Sequence, residues 1–408
     1  MGIKDLKQAI NKYCPEKKKK ISYSELSGKI IAVDISIYLY KFKYGNRNFL
    51  YCFMKQIEKF LKHNIKPIYV FDGKPPPEKN NVINERKSIK KQKYERKEEI
   101  EKKIINIENE LKDKDKREDK DQISIYNENK KILKSELNKL NMSIINITSN
   151  DIKLLKELFN ICNIQYVSAN TEAELICSQL TVNNNVYGCL TDDTDVLPNR
   201  CKNFLTDYNF KNEYLTQYDY SEVLTGLEMS DKEFIDYCIL CGCDYTCKIK
   251  NLGYITAYKF IHKFKNIETI IENNKEKYNL TDEFIEKYNF QEGRDIFNKN
   301  DFEFKIENTE NKDIDIESLK TYIKEHSIKF KATDLIFNKE SDDEIVETEE
   351  SVKDTINESV KDEDSTNKIK EDIETEKIKT KHVKKVKKVK KVKIAESNNE
   401  NANLIKTD

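Results

Sequence analysis

Tryptophan is absent from this chain of 408 residues, and so is any net charge, because 73 lysines and arginines face 73 aspartates and glutamates. That balance excludes a histone-like polycation, although it leaves local fields open. No apolar run approaches the ~20 residues that a membrane helix needs, which excludes a helical membrane protein. The start, Met1-Gly2-Ile3-Lys4-Asp5-Leu6, lacks the apolar stretch of a secretion signal, and Leu6 stands where a myristoylation motif wants Ser or Thr. A soluble intracellular chain is expected. Ten cysteines over this length make no disulfide scaffold and should be reduced thiols. Four of them crowd together as Cys238, Cys241, Cys243 and Cys247, but no second ligand pair follows. They read as small core residues rather than as a zinc site.

Charged residues make up 36% of the chain and apolar ones 37%, so a globular part is diluted by very polar segments. Lys29-Ile30-Ile31-Ala32-Val33-Asp34 reads as a buried strand ending in an acid, and Lys66-Pro67-Ile68-Tyr69-Val70-Phe71-Asp72-Gly73 as a second one built the same way. Helix-spaced apolar residues from Ile37 to Asn64 join them into a strand–helix–strand unit with parallel pairing. The pattern returns after Asn150. It gives a helix over Asp151–Cys162, a strand over Ile164–Val167, a helix over Thr171–Leu180 and a strand over Val186–Leu190. A helical stretch from Glu233 to Lys265 breaks at Asn251-Leu252-Gly253, and a weakly periodic segment ends in the apolar patch Ala332–Phe337.

Residues 79–141 hold neither Gly nor Pro and should form long charged helix, with a solvated break around 112–116. Between 86 and 97 the charge is one-sided: Arg86, Lys87, Lys90, Lys91, Lys93, Arg96 and Lys97 face only Glu95, a stripe suited to phosphates. Residues 98–141 mix signs and read as solvated surface. Residues 339–378 carry 16 acids and 6 lysines with almost no aromatics, a composition of disorder. Residues 379–393 carry 9 lysines and no acid, which suits a nuclear-import or nucleic-acid segment.

Chemistry concentrates in the acids. Asp34, Asp72, Asp193 and Asp195 follow strands, Glu172 and Glu174 open a helix, and Asp244 closes one. Open parallel sheets bind ligands at such strand ends. Like charges gathered there repel by several kcal/mol unless cations neutralise them, and hard divalent ions with oxygen ligands are the natural solution. A helix-start charge is the plain alternative for Glu172 or Asp151 taken singly.

Six runs in order carry a resemblance: Met1-Gly2-Ile3 with Leu6, Ile31–Asp34, Lys66–Pro76, Thr171–Glu174, Leu190–Leu197 and Cys238–Tyr245. Together they resemble the flap endonuclease/XPG family of structure-specific 5′ nucleases. The resemblance implies an α/β fold, with a mainly parallel central sheet flanked by helices as a PIN-like nuclease core. To this it adds a charged helical arch, a helix–turns–helix DNA-binding element and a disordered C-terminal tail. The corresponding divisions are an N-terminal nuclease region (1–100), the arch with its insertion (101–142) and an internal nuclease region (143–230). The helix–turns–helix part (231–338) and the tail (339–408) complete them.

It further implies a site for two Mg²⁺ ions, with Mn²⁺ as a substitute. Asp34, Asp72, Glu172 and Glu174 would serve one ion, and Asp193, Asp195 and Asp244 the other. Lys79 and Arg86 would act on the scissile phosphate. Gly2, Tyr40, Lys90, Lys91, Lys93, Lys248, Lys250, Asn251 and Gly253 would contact DNA, Tyr40 by stacking on an unpaired terminal base or, equally, as a core tyrosine. A potassium ion accompanies the turn at 241–257 in the family. The implied partner is branched or flapped double-stranded DNA, met by a monomer in the nucleus or at a viral replication site, with no membrane involved. No sliding-clamp motif is recognisable in the tail.

The chain also departs from the pattern. Asp34 and Asp72 are only 38 positions apart, which shortens the loop that meets the duplex junction. The arch is lengthened around 107–135, and Leu197-Pro198-Asn199-Arg200 replaces a glycine-containing turn. Asn251 replaces a glycine, and Ile255 and Thr256 stand where basic residues are common. Incision of 5′ flaps is the leading reading, beside a 5′ exonuclease or four-way-junction resolvase of the same family and a non-catalytic DNA-binding homologue.

Overall fold

The computed structural model describes residues 2–335, apart from 45–47, 116–119, 300 and 311; of 113–122 nothing is said of the side chains. The expected acidic and lysine-rich tail, the centre of the short junction loop and part of the arch tip lie outside the described residues. Chain contacts divide the molecule into residues 1–337 and the remainder, and the first unit is the one described.

Eight strands form one sheet: β1 (Lys19–Ser22), β2 (Ile30–Asp34), β3 (Lys66–Phe71), β4 (Gln165–Ser168), β5 (Gly188–Leu190), β6 (Asn203–Thr206), β7 (Tyr214–Asp219) and β8 (Ile306–Glu307). Their order is β1-β7-β6-β5-β2-β3-β4-β8. From β6 through β5, β2 and β3 to β4 the pairing is parallel, with Ala32 beside both Ile68 and Cys189. Antiparallel pairs β7–β6, β1–β7 and β4–β8 finish the edges. Central strands are apolar throughout because both faces are covered, as parallel sheets require. Alternation decides which core each residue enters: Ala32, Ile68 and Val70 face one, and Ile31, Val33, Tyr69 and Phe71 the other.

Helices α1 (Leu6–Tyr13), α2 (Ile35–Lys43), α3 (Phe49–Lys62), α4 (Asn80–Asp115), α5 (Lys120–Ser143), α6 (Ser149–Ile161) and α7 (Ala173–Val182) precede β5 in the chain. After β7 come α8 (Tyr220–Leu227), α9 (Asp231–Cys241), α10 (Tyr254–Phe264), α11 (Ile267–Asn274), α12 (Asp282–Tyr288), α13 (Phe290–Asn298) and α14 (Ile316–Glu325). Side chains from α1, α7, α9 and α10 fill one core, and those from α2, α3, α6 and α14 the other.

The expected helix over Ile37–Asn64 is two helices, α2 and α3. Each has an acceptor cap, from Asp34 to the Ser36 amide and from Asn48 to the Tyr51 amide. The expected break at 251–253 is wider, since α9 ends at Cys241 and α10 begins at Tyr254. Asn251 adopts φ 64°, the left-handed conformation that a glycine would supply, and so keeps the turn. Arg200 does the same at φ 61° in the turn after β5. Its guanidinium is fixed there by a fork to Asp231 at 2.7 and 2.9 Å and by the Phe297 carbonyl at 2.8 Å. Cys238 and Cys241 are buried and Cys243 and Cys247 half-buried, all as free thiols.

The long charged segment is a helical hairpin. Helix α4, with 36 residues, extends ~54 Å at 1.5 Å per residue. Buried Ile100, Ile104 and Leu111 form its seam against α5, flanked by Arg96–Glu136 at 2.8 Å and Lys130–Glu108 at 2.9 Å.

One buried ion pair holds the C-terminal helices together. Arg294 of α13 forks onto Asp236 of α9 with both contacts at 2.6 Å, while the Ile267 amide at the start of α11 donates to Asp236 at 3.1 Å. Arg294→Ala leaves that carboxylate buried without its cation, which should cost about 3–5 kcal/mol. Chemical denaturation of the variant would show it; a loss below ~1 kcal/mol would place the pair among surface bridges.

Candidate active site

The acids converge because the parallel strands end along one edge. Asp34, at the end of β2, accepts from the Ser36 amide at 3.1 Å and from the Thr191 hydroxyl at 2.9 Å. Asp72, just past β3, accepts from the Ser36 hydroxyl and from the Ala173 amide, the latter at 2.7 Å. An acid from one strand thus caps a helix, α7, that follows another. Glu172 occupies the cap position of α7 but makes no capping bond. Its carboxylate meets Lys79 Nζ at 2.5 Å and the Tyr245 hydroxyl at 3.0 Å. Glu174 receives Lys79 at 3.1 Å. Asp151, by contrast, is a helix-start charge, closing a capping box with Thr148.

Asp193 accepts from the Asp195 amide at 3.1 Å. Asp195 is fully buried, and neither of its carboxylate oxygens has a hydrogen-bond partner among the described residues. Asp244, past α9, lies 3.6 Å from Lys79 and 2.8 Å from Arg86. Gly2 presses on this loop: at φ 79°, a Cβ there would stand 2.1 Å from Asp193 Oδ1 and 2.7 Å from the Asp195 amide. No other residue fits that place.

Burial dominates the electrostatics. Asp34 is pushed up to about 8 by desolvation and then by the like charge of Asp72. Glu172, Glu174, Asp193 and Asp195 are raised by burial as well, with Asp193 the next cause at Asp195. Burial works against the Lys79 ammonium too, yet Glu174 and Glu172 outweigh it and hold it above the ordinary lysine range. Among the described residues, no group of three or more His, Cys, Asp or Glu side chains stands ready to hold an ion as it is. The charge of Lys79 lies between Glu172, Glu174 and Asp244. The donor set still suits a hard cation. Every group is a carboxylate, and the two bare oxygens of Asp195 are what an ion would satisfy.

On α4, Arg86, Lys90, Lys93 and Lys97 recur at spacings of four, three and four and share one face leading away from Asp244. Lys91 turns off that face and lies 3.8 Å from Glu95. Tyr40 is 49% exposed on α2, so the core-tyrosine alternative fails. Lys248 and Lys250 are exposed, and burial and then the adjoining Lys4 draw Lys248 below the lysine range. Gly253 is the N-cap of α10, with nothing within 4 Å of where a Cβ would be, so its backbone is open to approach. Ser36, Thr191 and Tyr245 touch the acids and went unassigned in the sequence. Their signal was position: each adjoins an acid-bearing motif.

Two family models match, that of the XPG N-terminal domain over residues 1–93 and that of the XPG I-region over 163–244. Flap endonuclease 1 of Candida albicans (strain WO-1) is 30% identical over 318 residues, spanning 73% of this chain and 77% of the relative. Flap endonuclease 1 of Drosophila mojavensis is 31% identical over 316 residues, spanning 73% of each. Among solved structures, the catalytic core of Rad2 in complex with DNA substrate superposes with a TM-score of 0.56 at 21% identity. That match covers 80% of this chain and 96% of the other, and shows a shared fold.

The raised acids give a pH signature. A carboxyl whose folded value lies above its unfolded one adds stability at low pH that is lost as pH rises through the folded value. For Asp34 the window runs from the ordinary 3.8 to about 8. The metal-free protein should therefore lose melting temperature between about pH 5 and 8, and saturating Mg²⁺ should flatten that slope. Thermal melts with and without Mg²⁺ test this; equal slopes would mean that the acids carry no such strain.

Proposed function

The chain belongs to the flap endonuclease/XPG family, and on that premise we propose that it is a magnesium-dependent 5′ nuclease that hydrolyses phosphodiesters at 5′ flaps and related branched DNA. The observation that carries this is the gathering of seven carboxylates at one strand edge with Lys79 among them and a basic helix face beginning beside them.

In this reading Asp34, Asp72, Glu172 and Glu174 would hold one divalent ion and Asp193, Asp195 and Asp244 a second. Such ions, when bound, activate the attacking water and stabilise the leaving oxygen. The chain's own residues do the remaining work. Ser36 and Thr191 orient Asp34 and Asp72 by hydrogen bonds, and Tyr245 orients Glu172. Lys79 and Arg86, held by carboxylates in the free protein, are placed to exchange those partners for the oxygens of a scissile phosphate, where their charge counts most. Lys90, Lys93 and Lys97 draw the phosphate backbone along α4. Tyr40 offers its exposed ring to an unpaired base. The turn around Asn251 and Gly253, with Lys248 and Lys250, contacts duplex phosphates, with a potassium ion as a further ligand of that turn. Action as a monomer on DNA in the nucleus follows from the same reading.

Asp195→Asn should lower the single-turnover rate on a 5′-flap duplex by on the order of 10³-fold, the loss of several kcal/mol of charge stabilisation. DNA affinity should stay within a few-fold, because most phosphate contacts remain. Matched flap, nicked, blunt-ended and four-way-junction DNAs, incubated with Mg²⁺ or with chelator, separate flap incision from exonuclease and resolvase activity. Near wild-type turnover by the variant would remove Asp195 from the reaction.

A further inference from the structure

Helix α2 presents Tyr40 to solvent, and the two lysines flanking that residue are both tied into the fold. Lys41 donates to Asp192 Oδ2. The other oxygen of Asp192 accepts from the Thr206 hydroxyl at 2.6 Å and the Asp207 amide at 3.2 Å. Lys7 of α1 completes this knot, donating to the Thr206 hydroxyl at 2.7 Å and lying 3.9 Å from Asp207. Within the run Thr191–Asp195, Asp192 is thus the acid whose bonds go to α2 and the end of β6, while Asp193 and Asp195 stay with the acid cluster.

On the other flank, Lys43 donates to the Asn146 carbonyl at 2.8 Å and to Asp151 at 2.6 Å. Asn146 belongs to the segment that leaves the hairpin after α5, and its amide donates to the Tyr94 hydroxyl of α4 at 2.8 Å. Asp151 is fixed in turn by its capping box at the start of α6. At ~100° per residue, Lys41 lies to one side of Tyr40 and Lys43 ~60° to the other. The two ties therefore oppose each other. One braces α2 against the acid-bearing loop, and the other braces it against the foot of the hairpin.

We propose that Lys41 and Lys43 are positioning residues that fix Tyr40 relative to the acid cluster and thereby set which phosphodiester of a bound strand is cut. The inference rests on the reading of the chain as a nuclease for branched DNA. A ring stacked on a base holds the strand's register, and the acids mark the reacting bond, so their separation selects the bond. Successive nucleotides of a helical strand are spaced ~3.4 Å apart. A helix that drifts by a fraction of that distance no longer distinguishes neighbouring phosphodiesters, and the chemistry loses alignment as well.

The test is the cut map of an end-labelled 5′-flap duplex under single-turnover conditions with Mg²⁺, read beside the rate and the KM. The wild type should give one dominant cut. Lys41→Met and Lys43→Met should each spread cleavage onto adjacent phosphodiesters. The rate should fall about 10- to 100-fold, the range that a misplacement of up to 1 Å produces, with KM changed far less. Lys41→Arg, which keeps the charge, should restore the single cut, and Tyr40→Ala should reproduce the spreading. Circular dichroism and thermal melts identify any variant that is misfolded, and the Arg and Tyr40 variants keep the test open in that event. Folded Lys41→Met and Lys43→Met proteins that cut at one site at the wild-type rate would overturn the proposal, as would a Tyr40→Ala protein that keeps its single cut. A wild type that leaves flap DNA uncut overturns the parent reading and this one with it.

Discussion

Mutual repulsion among buried carboxylates is the constraint around which this molecule is built. Two unit charges 4 Å apart interact by about 4 kcal/mol at an effective dielectric of 20, and seven acids meet at one edge of the sheet. Lys79 and Arg86 balance part of that charge, and burial, with the remaining like charge behind it, raises Asp34, Glu172, Glu174, Asp193 and Asp195 toward protonation. The free protein is therefore a compromise in which a lysine's charge lies among Glu172, Glu174 and Asp244. Such a compromise needs rigid support. Gly2 wedged against Asp193 and Asp195, and Tyr245 bonded to Glu172, are parts of that support.

Secondary structure reaches the same edge by economical means. Asp34 begins α2, Asp193 begins the short turn Thr194–Val196, and Asp72, past the end of β3, accepts from the first amide of α7. A carboxylate that accepts a backbone amide is held in place by the helix or turn it starts, and the helix N-terminus offsets some of its charge. On the proposed reading, function and folding use the same oxygens. On that reading, metal loading and the local stability of these helix starts would be linked.

Much of this was legible in the sequence because it is local. An apolar run ending in Asp states both the strand and the place of the acid, as at Ile30–Asp34 and Lys66–Asp72. Asn251 could be read as left-handed from its residue type alone, and it is. Strands β1, at the edge, and β6, inside the sheet, were not read, since Lys19–Ser22 and Asn203–Thr206 are only four residues each and become strands only through their neighbours. Segregation of Lys91 from Lys90 and Lys93 required the helical phase of α4. Lys41 gave no signal at all, because its partner Asp192 lies 151 positions away and a lone lysine on a helix looks like solvated surface.

An anionic site faces a difficulty with an anionic substrate, and the hairpin answers it. Arg86, Lys90, Lys93 and Lys97 form one face of α4 that begins beside Asp244, while Glu136 pairs with Arg96 and Glu108 with Lys130. Cross-helix pairing does more than hold α4 to α5. It ties Glu136 and Glu108 to Arg96 and Lys130 rather than to the face that a phosphate backbone would follow, on which Arg86 meets Asp244 and Lys97 meets Glu101 at 3.8 Å. Counterion release along such a face attracts any nucleic acid irrespective of sequence. Selectivity must then come from geometry at the acids, where the ring of Tyr40 and the buried Asp34 are carried by the same short helix.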